Sequence, residues 1–199
     1  MIKTSLAVAA LVALAAPVFA QDVEQRSMRF AISKTEYVID VGVPPGWSVS
    51  PAQSRNSRTI VNVKSGEPFR PTAQIQVYVE PRLDHDDAVK QIREFSSRTK
   101  SAEKQFTQIG GWPAMQVMRE EVLPQPDNAP PLDNPKILRM QTLIAVGDTL
   151  VVVSGKLPSQ SGPALKQEFR NIANSLSFGS KGDPAAVKNT IKALQAPVD

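Results

Sequence analysis

The side chains best suited to proton chemistry sit together at residues 84–87. The only histidine, His85, is flanked there by Asp84, Asp86 and Asp87. Histidine titrates near neutral pH and serves as general base, proton shuttle or metal ligand. A metal site needs donors that converge, but consecutive residues at a helix start point in different directions. The same residues suit a structural task better. Asp84 can cap the free amides of a first turn, and Asp86 and Asp87 favour the positive end of the helix dipole. A cap is therefore the preferred reading, over a site.

Other chemistry is thin. Serines are numerous, yet none sits in a nucleophile-elbow pattern. There is no HExxH, no phosphate-cradling GxxxxGK and no EF-hand spacing. The chain has 0 Cys, so thiol nucleophiles and thiolate ligands are excluded. Glu120 and Glu121 are neighbours on an expected strand, so they face opposite sides and do not form an acid/base pair. The expectation is a non-enzyme with no catalytic, cofactor or metal residues. A hydrolase using His85 is the least favoured alternative.

Two features point to binding. Residues 123–135 carry Pro124, Pro126, Pro130, Pro131 and Pro135, together with Asp127 and Asp133. Such a loop is long for a hairpin connection, and its prolines reduce the entropy lost when a partner orders it. A tolerated surface insertion is the blander reading. Trp112, beside Gly110 and Gly111, is either an interface anchor or, by preference, a core residue. The candidate partner-binding set is Trp112, Pro124, Pro126, Asp127, Pro130, Pro131 and Asp133.

Charge argues against nucleic acid. Lys and Arg number 23 against 19 Asp and Glu, a net charge of +4, but the basic residues are interleaved with acids rather than massed. Aromatic residues are only 6%, too few for a base-stacking platform.

The first residues read as an export leader. Lys3 supplies a positive start, residues 6–16 are apolar, and small residues Val18 and Ala20 precede polar Gln21 and Asp22. Cleavage is expected between Ala20 and Gln21. A membrane-spanning helix needs about 20 apolar residues, and this run is shorter, so no membrane span is expected once the leader is removed.

The elements that must position these residues follow from periodicity. Residues 21–27 are polar and read as loose. Strands are expected at 28–32, 37–41, 47–50 and 58–63, with turn chemistry at 42–46. Residues 72–80 alternate most clearly, placing Ile75, Val77 and Val79 on one face. A helix follows Asp84, with Ala88, Ile92 and Phe95 on its inner stripe. Hairpins are expected about Gly110-Gly111 and Gly147-Asp148. Val151, Val152 and Val153 mark a central strand buried on both faces. A second helix begins near Ser161 with Pro163 in its first turn and the stripe Leu165, Phe169, Ile172 and Leu176. Residues 179–182 read as a flexible link. A short last helix is capped by Asp183-Pro184, and docking on its own domain is its favoured fate. The division is thus 1–20 signal peptide, 21–35 lead-in, 36–178 one α+β domain, and 179–199 link and C-terminal helix.

Three stretches carry a family resemblance: residues 41–47 (VGVPPGW), 109–114 (IGGWPA) and 169–176 (FRNIANSL). In this order they resemble the PsbP-like superfamily, which includes a eukaryotic Ran-binding import factor and DcrB-like bacterial envelope lipoproteins. The resemblance spans about residues 37–178. It implies an α-β-α sandwich, a mostly antiparallel sheet flanked by helices, used mainly as an interaction or assembly module. It brings no catalytic motif. Without a lipid-bearing cysteine, tethering as in the DcrB-like proteins is not expected. The functional expectation is an exported, periplasmic or secreted binding module with an envelope protein partner. A small-ligand or lipid carrier, with a cleft between helix and sheet, is the alternative.

Overall fold

Strict alternation builds the middle of the molecule. In β5 (Gln74–Pro81), Ile75, Val77 and Val79 are fully buried while Gln76 and Tyr78 are only half-buried. Period-two side chains segregate in this way when one sheet face is more deeply covered than the other. The computed structural model describes residues 23–32, 35–51, 54–62, 73–99, 102–122, 136–158 and 162–196.

The strands form two antiparallel sheets. The larger has seven strands, in the order β3 (Trp47–Val49), β4 (Ser57–Asn62), β5, β9 (Thr149–Pro158), β8 (Lys136–Val146), β7 (Trp112–Val122) and β6 (Glu103–Ile109). The smaller joins β1 (Glu24–Ile32), β2 (Thr35–Val43) and β10 (Ser177–Phe178). The expected α-β-α sandwich with a mostly antiparallel sheet is present. The second sheet is an addition, because β10 reaches β2 only through the long-range pairing of Ser177 with Asp40 and Phe178 with Ile39.

Two local expectations need correction. Residues 24–27 are not loose. They extend β1, with Glu24 opposite Val43 and Ser27 opposite Asp40. Polar side chains tolerate a strand whose outer face meets water. Gly42 and Val43 likewise belong to β2, and the turn begins at Pro44, closed by a Trp47 N–H bond to the Pro44 carbonyl and by Gly46 at φ 83°.

Alternation gives the large sheet two different faces. On the first, Ile75, Val77, Val79, Val151, Val153, Met140 and Ile144 join Met28, Phe30, Ile39 and Val41 of the small sheet in one core. Helix α2 (Pro163–Asn174) closes this face with Phe169, Ile172 and Ala173. Phe169 sits over Gly155, where any Cβ would collide with its ring. On the second face, α1 (His85–Arg98) and α3 (Pro184–Gln195) cover Met115, Val117, Leu143, Ala145 and Leu150. The last helix docks on its own domain, burying Val187 and Leu194.

Capping follows the sequence. Asp84 accepts from the Asp87 amide and Asp183 from the Ala186 amide, each at 2.8 Å. Helix α2 starts after Gly162 without a side-chain cap. Strand β9 is central, as its three valines predict, but Val152 on the second face is only half-buried. Among the described residues, no helix is long and apolar enough to cross a membrane.

Candidate functional site

Three places in the molecule have chemical character. The first is the end of the large sheet where the β6–β7 and β8–β9 turns meet the start of α1. Gly110 and Gly111 both hold positive φ, 57° and 90°, a backbone that glycine adopts without a Cβ penalty and that matches the twist of a two-residue hairpin. This turn presents Trp112. Its indole is half-buried, packs against the first-face core, and donates from Nε1 to the Ser180 carbonyl at 3.0 Å. The 179–182 segment is thus held by the indole N–H.

His85 lies at the same end. Its ring meets Trp112 at 5.9 Å between centroids, tilted by 49°. Nδ1 lies 3.2 Å from the Gly147 carbonyl and donates to it. The imidazole is thus held between a turn carbonyl, at Nδ1, and an aromatic ring. Among the described residues, no group of three or more His, Asp or Glu could hold a metal ion. Beside it, the Arg82 amide donates to the Asp148 carbonyl at 2.7 Å, which fixes the chain before Leu83. Leu83 itself is 92% exposed. Periodicity did not single it out, because it falls in neither the strand alternation before it nor the helical stripe after it.

The second place is the opposite end of the sheet, from which residues 123–135 depart. Pro124, Pro126, Asp127, Pro130, Pro131 and Asp133 lie outside the described residues, as do Ala20 and Gln21. The root of the loop is described. Arg119 and Arg139 stand directly opposite each other across β7 and β8. Glu121 offsets this like-charge pair, binding Arg119 at 2.6 Å and Arg139 at 2.7 Å. Glu120 has no part in this arrangement and is exposed. Trp112 and Val122 are the first and last of the eleven residues of β7. At a rise of about 3.3 Å per residue, the two ends are about 33 Å apart.

The third place is a cleft of about 180 Å³ between α1 and the second face. Phe95, Leu143, Leu150 and Val152 supply its apolar surface, and Glu80, Gln91, Glu94 and Arg98 are polar residues around it. Glu80 pairs with Arg82, and Glu94 with Arg98 at 3.4 Å. Gln141 also lines the cleft, and its Oε1 is buried with no hydrogen-bond partner.

No protein-family model matches the sequence, and no curated protein matches it. Solved structures do. LpqN of Mycobacterium tuberculosis, described as involved in cell envelope biogenesis, aligns with a TM-score of 0.55 at 13% identity, covering 79% of this chain and 92% of LpqN. A Bacteroides thetaiotaomicron protein aligns at 0.48 and 16% identity over 73% of this chain, which spans only 46% of that protein. The cyanobacterial PsbP protein CyanoP of Synechocystis aligns at 0.45 and 9% identity, covering 76% of this chain and 92% of that one. LpqN and CyanoP belong to the PsbP-like fold superfamily. The fold expected from the sequence is shown, and at these identities the likeness concerns the fold alone.

Proposed function

We propose that this protein is an exported, non-enzymatic binding or assembly module of the periplasm or cell envelope. It acts through protein contacts at the sheet end that carries Leu83 and Trp112. The observation carrying this reading is the near-complete exposure of Leu83 on a loop fixed by the Arg82–Asp148 backbone bond. An apolar side chain in water on a fixed stretch of backbone gains from burial in a partner. The leader-like first residues and the fold shared with LpqN support an envelope setting. His85 gives a hydrolase no support: among the described residues no hydroxyl or carboxylate hydrogen-bonds its ring, whose polar partner is the Gly147 carbonyl.

A cross-linking pulldown from the native envelope tests this with three proteins: the unchanged chain, Leu83→Asp, and a chain lacking residues 124–135. Leu83→Asp is expected to lose partner capture with its melting curve in place. Loss only in the deletion moves the surface to the proline-rich loop. Capture undiminished in both sinks the protein-contact reading.

A second reading, a carrier of a small ligand or lipid, is favoured by one observation. The cleft beneath α1 has an apolar floor and a polar rim, the usual make-up of a ligand site. Native mass spectrometry of protein taken from its own host should then show a bound adduct. A clean unliganded mass from several preparations counts against it.

A further inference from the structure

We propose that the cleft beneath α1 binds a small, uncharged, planar aromatic molecule that presents one N–H or O–H donor to Gln141. The inference rests on the carrier reading and narrows its ligand class.

Four observations set the chemistry. The first is size. The cleft holds about 180 Å³, and an engineered apolar cavity of about 150 Å³ accepts benzene, so one ring or two fused rings fit. The second is shape and polarity. A helix lying over a sheet leaves a slot, and here the slot is walled by Phe95 of α1 and by Leu143, Leu150 and Val152 of the sheet. A flat ring stacks against Phe95 in an offset or edge-on arrangement, and the aliphatic side chains cover its other side.

The third is charge. The ionised residues at the rim already have partners, Glu80 with Arg82 and Glu94 with Arg98. An ionic group carried to the floor would be desolvated without a counter-ion, which is strongly unfavourable. The ligand is therefore neutral.

The fourth is the orphan acceptor. Gln141 Oε1 is shielded from solvent and unpartnered, while the residue itself faces the cleft. A buried acceptor left unmade costs free energy that a matching donor recovers. The terminal torsion of a glutamine is broad and soft, so the oxygen can turn toward a donor without leaving a favoured rotamer. A donor-bearing ring gains this bond, and an isosteric ring without the donor leaves the acceptor orphaned.

Indole and benzofuran test the idea, because they share a shape and differ in the N–H. Isothermal titration of the full chain is expected to show saturable one-to-one binding of indole and roughly tenfold weaker binding of benzofuran, the ratio expected for one buried hydrogen bond. Gln141→Leu should bring the two within about twofold. Val152→Phe should fill the slot and remove both. Amide shifts in the unmodified protein supply a measurement that needs no variant: indole should move Gln91, Phe95 and Val152 and leave the α2 side still. Benzofuran matching indole overturns the proposal, as does indole binding that persists in folded Val152→Phe, or shifts confined to other regions. An adduct on host-purified protein together with no indole binding overturns the ligand class and leaves the carrier reading standing. Indole binding with a clean unliganded mass supports the site and removes the carrier reading.

Discussion

The two faces of the seven-stranded sheet are made from alternate residues of the same strands, yet they are covered to different depths. On one face the core runs unbroken from Phe30 and Val41 through Val77 and Val153 to Phe169. On the other, α1 and α3 cover Met115, Leu143 and Leu150 but leave a cleft over Val152 and Gln141. The second face thus keeps the larger space, about 180 Å³, against about 90 Å³ where α2 meets the small sheet.

The contrast can be tested first where the covered face is deepest. Phe169→Ala removes the ring that α2 drives onto Gly155 and should cost about 3–5 kcal/mol, read from urea unfolding. A loss below about 1 kcal/mol would mean that α2 contributes little to the core. The same contact can be broken from its other partner. Gly155→Ala places a methyl inside the Phe169 ring position and should cost about 1–3 kcal/mol by overpacking. Combining it with Phe169→Leu should recover part of that loss, and simple additivity in the double-mutant cycle would remove the steric explanation.

Adjacent valines sharpen the comparison further. Val153→Ala, on the first face, should cost about 2 kcal/mol from lost transfer energy and a residual cavity. Val152→Ala, on the cleft, should cost under about 1 kcal/mol because that side chain is half-exposed. Equal costs would mean that the two faces are equally packed in solution. The smallest effect belongs to Gln141→Leu. It removes an unpartnered acceptor and should leave stability within about 0.5 kcal/mol or raise it slightly.

Most of the fold was legible because its signals are local. The alternation of residues 74–80, the Gly110-Gly111 turn and the Asp84 and Asp183 caps are each decided within a few residues, and the structure has all of them. The partition into two sheets was not legible. It depends on Ser177 and Phe178 meeting β2 across the whole domain, and no window of sequence carries that pairing. The strand at residues 24–27 was missed because its exposed polar side chains lack the alternation by which strands are recognised.

The candidate site was legible in part. Trp112 and the proline-rich loop stood out by composition, and of these the structure describes Trp112, at the glycine turn where the sequence put it. The placement of His85 at a helix start was read correctly from its acidic neighbours, while its contact with Trp112 was not visible from sequence. The cleft was foreseen only in outline, since its size depends on how far α1 stands off the strands.

Residues 177–178 add to a strand formed near the beginning of the chain, Phe178 lies close against Gly110 of the β6–β7 turn, and α3 then docks on the opposite face. Residues 177–194 therefore bear on both sides of the large sheet at once, Phe178 packing on the first-face core and Leu194 on the second.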